Sequence, residues 1–326
     1  METKKENNDF REIYNKLMSS KKIIITLHKG PDGDSIGSCG TMKYFLEKKG
    51  KEVKVISPDK TSEDYLGLNF LEEVEYGKTL EDFDLNNFDI ILILDSSKPS
   101  QVKISEDCLK NHFVINIDHH ETNPLFGDLN YVDSKSSSTC SVLLRMFLDQ
   151  KTEINEELAT RLMIGVYTDS RGFTARNAIQ ALKDANILLD KKARYLEILE
   201  KTRTSLRMKK YFSYLLINTE YKGKIAWSSL PKEKIQDLKL SLSEIRGGID
   251  ELRRLKEFDI VFTLSELEDR IKVSFRTSEP GIDVSKFAHS LGGGGHKGAA
   301  SADIYEMNLE EAKEKVLETI ENYKNQ

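Results

Sequence analysis

The stretch Phe113-Val114-Ile115-Asn116-Ile117-Asp118-His119-His120 decides how this chain is read. Phe113 to Ile117 is short and rich in β-branched residues, the pattern of a buried strand. At its end the chain turns polar without a spacer. Asp118, His119 and His120 therefore fall where ligands gather in open α/β sheets, outside the carboxyl ends of the strands.

Two other runs end the same way. Ile23 to Leu27 stops at His28 and then Pro31-Asp32-Gly33-Asp34, and Asp89 to Leu94 stops at Asp95. A single Asp after a strand is an ordinary cap or turn residue. Three strand ends that each deliver His or Asp predict one shared site.

Around these strands the spacing predicts alternating elements. Phe10, Ile13, Tyr14 and Leu17 recur at helical intervals within residues 1–20. A helix is expected over 35–49, opening just after Asp34 and stopped by Gly50, then a strand at Val53 to Ile56. Residues 57–87 read as acidic and irregular, with short helices. Ser136 to Ser138 and Thr139 open a helix running to Leu148. A further helix takes Asn155 as its N-cap and reaches Thr168-Asp169, and another follows over 175–190. Strand–helix alternation of this kind means a mostly parallel sheet.

Residues 191–217 are basic and helical and read as a linker. From 218 the pattern changes to strands at Lys224 to Leu230, Phe258 to Leu264 and Ile271 to Arg276, helices over 245–255 and 283–290, the run Gly292 to Gly295, and a charged helix over 308–323. The expected organisation is α/β: an N-terminal domain (1–190) with a mostly parallel sheet, the linker, and a smaller C-terminal α/β domain (218–326), with a cleft between them.

Composition excludes several classes. A length of 326 residues suits two domains, and 38% hydrophobic with 32% charged residues suits a folded chain rather than a disordered one. A net charge of −5 offers no general attraction to nucleic acid, so anion binding calls for a local patch or a metal. The cysteines, Cys39, Cys108 and Cys140, are few and widely spaced, which argues against a disulfide framework or a cysteine-type zinc site. The first twenty residues show no signal-peptide core, and the longest aliphatic run, Ile90 to Leu94, is too short to span a bilayer. A cytoplasmic location without a membrane partner is expected.

His28, Asp32, Asp34, Asp95, Asp118, His119, His120 and Asp169 form the candidate metal set. Carboxylates with a minority of imidazoles suit Mn²⁺, with Mg²⁺, Co²⁺ or Fe²⁺ also accommodated. So many ligands exceed what one ion needs, and two divalent ions are a usual solution for phosphoester hydrolysis. His112 and His289 read as structural. In the second domain, Gly292 to Gly295 leave the backbone free to approach a ligand and to present N–H groups to an anion. His296, Lys297 and Arg276 add charge.

These residues resemble the DHH phosphoesterase superfamily. His28-x-x-Pro31-Asp32-Gly33-Asp34 is similar to its first motif, Asp95 to its second, Asp118-His119-His120 to its name-giving third, and Asp169 in Thr168-Asp169-Ser170 to its fourth. Val273-Ser274-Phe275-Arg276 and Gly292 to Ala300 resemble the DHH-associated C-terminal domain. The length and the two domains resemble the nanoRNase/pAp phosphatase (bifunctional oligoribonuclease) group.

The resemblance implies a metal-dependent phosphodiesterase, an exoribonuclease that cuts short oligoribonucleotides and linear dinucleotides such as pApA to 5′-mononucleotides, with pAp 3′-phosphatase activity as a second reaction. It implies His28 and Asp32 on one ion, Asp34, His119 and Asp169 on the other, and Asp95 between them. His120 would face the scissile phosphate and Asp118 would support the histidines. Arg276, Gly293, Gly294, Gly295, His296 and Lys297 would bind substrate. Partners are then short RNA or a dinucleotide and not long duplex nucleic acid, and dimerisation is common in the family.

The alternatives weighed are a cyclic-dinucleotide phosphodiesterase, a RecJ-like single-strand exonuclease, an inorganic pyrophosphatase and a non-catalytic nucleotide sensor. The sequence departs from the family pattern at Gln101, Ser141 and Ser170-Arg171.

Overall fold

The computed structural model describes residues 7–61, 65, 74–175 and 177–324. The chain divides into two compact units, residues 1–203 and 204–326.

In the first unit six parallel strands form one sheet: β1 (Lys22–Thr26), β2 (Glu52–Ser57), β3 (Glu75–Tyr76), β4 (Ile90–Leu94), β5 (Val114–Asp118) and β6 (Leu129–Val132). Their order is β3-β2-β1-β4-β5-β6. The chain winds outward from β1 to β3, returns beside β1 as β4, and winds out the other way. The order reverses between β1 and β4, the place where open α/β sheets bind ligands. All five residues of β4 are buried, as expected of a parallel strand covered on both faces.

Among the described residues seven α-helices complete the unit: α1 (Phe10–Ser19), α2 (Gly33–Lys48), α3 (Glu106–Asn111), α4 (Thr139–Asp149), α5 (Glu156–Asp169), α6 (Ala178–Asp190) and α7 (Tyr195–Lys201). The N-caps of α4 and α5 are Ser138 and Asn155, as their sequences suggest. Helix α2 begins two residues earlier than expected. Asp32, not Asp34, is its N-cap and accepts from the amides of Asp34 and Ser35 at 3.1 and 3.0 Å. The described part of the irregular stretch 57–87 includes the 3₁₀ turns Leu80–Asp82 and Leu85–Asn87; residues 62–64 and 66–73 lie outside the described residues.

Helices α2 and α5 pack through glycines. A Cβ on Gly37 would stand 2.9 Å from the Arg161 carbonyl oxygen, and one on Gly33 would collide with the Thr168 side chain. This close approach brings the start of α2 against the end of α5.

The second unit holds a mixed sheet, β7 (Thr219–Lys222), β8 (Ile225–Leu230), β9 (Ile260–Glu266), β10 (Ile271–Thr277), β11 (Gly294–His296) and β12 (Ala299–Ile304), in the order β11-β12-β10-β9-β8-β7. Only the β8–β9 pair is parallel. Phe262, Phe275 and Val273 face a core shared with α11 (Val284–Ser290) and α12 (Leu309–Lys324). The other face meets α8 (Leu206–Ile217) and α10 (Leu242–Arg253), with α9 (Lys232–Asp237) between them in sequence.

The segment expected as a linker is two helices with different allegiances. Ile198 of α7 is buried in the core of the first unit, whereas Met208, Tyr211 and Leu215 of α8 belong to a core of the second. Among the described residues no helix is long and apolar enough to cross a membrane.

Candidate metal centre

The strand ends deliver their side chains to one place. His28 follows β1, Asp95 follows β4, and His119 and His120 follow β5. Asp34 comes from the first turn of α2 and Asp169 from the last residue of α5. Three overlapping groups result: His28, Asp32 and Asp95; Asp34, His119 and Asp169; and Asp95, His119 and His120. Within each group one ligand atom per residue lies within 4.8 Å of the others.

Individual distances tie the groups together. His28 Nε2 is 3.5 Å from Asp95 Oδ2 and 3.7 Å from Asp32 Oδ1. Its Nδ1 is 2.9 Å from the Lys29 carbonyl, a contact that turns Nε2 toward the carboxylates. His119 Nε2 is 3.6 Å from both Asp95 Oδ1 and Asp169 Oδ2, and 3.9 Å from Asp34 Oδ2.

Asp34 is the most strongly fixed of these groups. Its side chain is 1% exposed, and its two oxygens accept the backbone N–H groups of Thr139 (2.6 Å) and Cys140 (3.0 Å) at the start of α4. A helix N-terminus is a natural seat for a carboxylate. Gly165 keeps room for it, since a Cβ there would stand 2.1 Å from Asp34 Oδ1. Asp95 has a backbone φ of +55°, a left-handed conformation that Asp tolerates better than most residues. The Thr139 hydroxyl donates to its Oδ1 at 3.1 Å.

Asp118 stands apart from the three groups. It is fully buried, 2.7 Å from His120 Nδ1, and its second oxygen accepts from Asn123 Nδ2 at 2.7 Å. It orients His120, whose ring remains 41% exposed.

The titration behaviour follows from crowding. Burial, then the negative charges of Asp95 and Asp169, push the Asp34 carboxyl well above its ordinary range. Burial also raises Asp169, to about 6, with Asp95 and Asp32 adding to it against the pull of His119. Burial disfavours the charged form of His120, but the hydrogen bond and charge of Asp118 overcome this and raise it to about 9. Burial works against Asp32 ionising too, yet its His28 contact and the α2 amides hold it at about 2. Like-charged carboxylates packed this closely are what a divalent cation relieves, and a donor set of oxygens with a few imidazoles fits such an ion.

Several contributors were not singled out in the sequence. Thr139 reads only as the start of a helix and Cys140 only as one of three widely spaced cysteines, and neither Asn123 nor Gly165 stands out. The one available signal was the serine run announcing a helix N-terminus.

The departures have structural roles. Gln101 Oε1 accepts from the amides of Ser97 and Lys98 at 2.7 and 3.0 Å and shapes the loop after Asp95. The Ser141 hydroxyl is buried and lies 2.5 Å from that of Ser137. Arg171 has a φ of +52° and closes α5: its amide donates to the Thr168 carbonyl, and that of Gly172 to Tyr167. Glycine is the usual occupant of such a position.

The expected substrate residues lie in the second unit. Strand register sets Arg276 opposite Ala299, and Ala299 opposite His296. Directly paired residues share a face, so Arg276 and His296 flank the small Ala299, roughly 10 Å apart across two strand spacings.

The glycine run is divided between a helix end and an edge strand. The amides of Gly292 and Gly293 donate to the carbonyls of His289 and Ala288 and cap α11, while Gly294 and Gly295 belong to β11. The glycines serve close backbone approach instead: a Cβ on Gly293 would stand 2.1 Å from the Ser301 carbonyl oxygen. The Lys297 carbonyl accepts from the Val284 amide.

The comparisons with known proteins agree with this architecture. The model of the DHH family, N-terminal domain, matches residues 22–166, and that of the DHHA1 domain matches residues 224–325. The chain is 32% identical over 307 residues to the bifunctional oligoribonuclease and PAP phosphatase NrnA of Thermus thermophilus, covering 91% of this chain and 89% of that protein. It is 26% identical to the protein of the same name from Mycoplasma genitalium, covering 90% and 92%. The crystal structure of an exopolyphosphatase-related protein from Bacteroides fragilis superposes with a TM-score of 0.84 at 24% identity, covering 97% of this chain and 96% of that one, a likeness of fold. With a relative of this identity along nearly its whole length and both domain models in order, the chain belongs to the DHH phosphoesterase family.

Proposed function

We propose that this chain is a metal-dependent phosphodiesterase that hydrolyses short oligoribonucleotides and linear dinucleotides to 5′-mononucleotides, and that it also removes the 3′-phosphate of pAp. The observation that carries the reading is the set of three overlapping Asp/His groups at the β1/β4 switch point, joined by Asp95 and His119. Enzymes of the DHH phosphoesterase family depend on divalent metal. The bifunctional relatives span almost the same length as this chain, which favours their substrates over those of larger relatives.

In this reading His28 and Asp32 would hold one ion and Asp34, His119 and Asp169 a second, with Asp95 within reach of both groups. Mn²⁺ suits the donor set. Divalent ions supply charge neutralisation at the phosphoryl oxygens and lower the pKa of water. His120, oriented by Asp118, donates a hydrogen bond to the phosphate undergoing attack. Arg276 and His296 are the phosphate-binding residues of the second domain, and Ala299 leaves space between them. The protein acts in the cytoplasm on short single strands.

The test is a time course of mononucleotide release from pApA, a five-nucleotide RNA, pAp and cyclic di-AMP, in Mn²⁺ and in chelator. Mn²⁺-dependent release of AMP from the linear substrates and from pAp is expected. Turnover that persists in chelator would overturn the metal mechanism. Preferential turnover of cyclic di-AMP would overturn the substrate class.

A further inference from the structure

A carboxylate stands beside the arginine read as an anion-binding group. Asp250 Oδ1, on α10, lies 3.4 Å from Arg276 Nε and 3.5 Å from Arg253 Nε. Arg276 Nη1 donates to the Phe275 carbonyl at 2.9 Å. Two edges of one guanidinium are therefore set by neighbours.

The helix that carries Asp250 is itself seated firmly. Ile249 and Leu252, on either side of Asp250, are buried with Ala226 and Val261 of the sheet. Toward the same face the Tyr211 hydroxyl of α8 donates to the Ile245 carbonyl at 3.0 Å, and a Cβ on Gly248 would run into the Tyr211 ring. This face seats α10 against the sheet and against α8, so Asp250 is a fixed point against which a long side chain is aligned.

We infer that Asp250 is a positioning residue for substrate: it holds the Arg276 guanidinium in one orientation, so that its fork meets a substrate phosphate on the Ala299–His296 side of the sheet. This rests on the reading of Arg276 as a phosphate-binding group. Bidentate recognition of phosphate by arginine depends on the plane of the guanidinium, and an arginine free to swing loses that alignment. The charge of Asp250 acts the other way, because a carboxylate near an anion site weakens the attraction. Removing that charge alone would tighten binding. A rise in KM on its removal can come only from lost alignment, and this sign difference makes the role measurable.

The experiment uses the full-length Mn²⁺-loaded protein with pApA as substrate and compares Asp250→Asn, Arg276→Ala, the double variant and Asp250→Glu, each checked for a cooperative thermal transition. Asp250→Asn is expected to raise KM on the order of tenfold, with kcat within about twofold of the parent. The double variant should be no worse than Arg276→Ala, because Asp250 acts through that arginine. Asp250→Glu, which keeps the charge on a longer arm, should show a smaller rise, and it answers the question should the Asn variant fail to fold.

An unchanged or lowered KM for Asp250→Asn, or for Asp250→Glu where that variant stands in for it, overturns the inference. So do effects of the two single variants that multiply in the double. If Arg276→Ala itself leaves KM unchanged, the phosphate-binding reading of Arg276 falls, which is a different result from failure of Asp250→Asn alone.

Discussion

The side chains proposed to hold metal and to bind substrate are gathered differently in the two units. In the first, Asp34, Asp95 and Asp118 are almost completely buried at the ends of strands or at a helix start, and each is held by amides, hydroxyls or imidazoles. In the second, Arg276 and His296 sit on the face of a sheet, on either side of an alanine, and meet through strand pairing. One arrangement concentrates charge that needs a cation. The other spreads donors around a space that suits an anion. A cluster of buried carboxylates tolerates almost no displacement, whereas a spaced pair of donors yields by degrees.

That contrast sets the order of the expected effects. The largest belongs to Asp95→Asn, which should lower hydrolysis of pApA by at least about 10³-fold, since divalent ions contribute several kcal/mol to such reactions. Its circular dichroism spectrum should match the parent. Near-normal turnover in this variant would break the comparison outright.

Next comes Gly165→Ala, whose methyl group would be driven into Asp34 and Cys140. Calorimetric titration should show Mn²⁺ affinity reduced roughly 10- to 100-fold, as for other disturbed ligand supports. Thermal unfolding should show a loss of about 1–3 kcal/mol from overpacking. In the second unit, Ala299→Leu fills the space between Arg276 and His296. Steady-state kinetics should give a KM raised on the order of tenfold, and Mn²⁺ affinity should be unchanged. A parallel loss of metal affinity would blur the division of labour between the units.

The smallest effect is a gain. Arg171→Gly relieves a left-handed residue at the end of α5 and should raise the unfolding free energy by roughly 1 kcal/mol, read from the urea midpoint.

The same contrast explains what the sequence disclosed. The strands of the first sheet are runs of Ile, Leu and Val whose polar terminators are conspicuous, so His28, Asp95, His119 and His120 could be read as one site from residue type and position. Thr139 and Gly165 could not. Their roles depend on α4 and α5 approaching Asp34, which lies 105 residues before Thr139, and no local pattern encodes that distance. In the second unit the residue types were legible and the conformation was not. Whether four glycines form a loop or a strand depends on a partner strand, and here β12 recruits Gly294 and Gly295 while α11 takes up the amides before them. Residues 191–217 show a related limit. Basic composition describes what faces water, but Ile198 and Tyr211 decide which core each helix joins.

The span of the Asp34 contacts has a consequence for biosynthesis. A growing chain presents His28, Asp32 and Asp34 early, and it completes the group with His119 and Asp169 only after some 135 further residues have been made. Until α4 docks, its amides cannot hold the Asp34 carboxylate, and the early half of the site is a loose trio of side chains with little grip on any cation. The choice of metal is thereby deferred to the folded protein, and a nascent chain stalled before Asp169 would carry the first motif of its family without the means to load it.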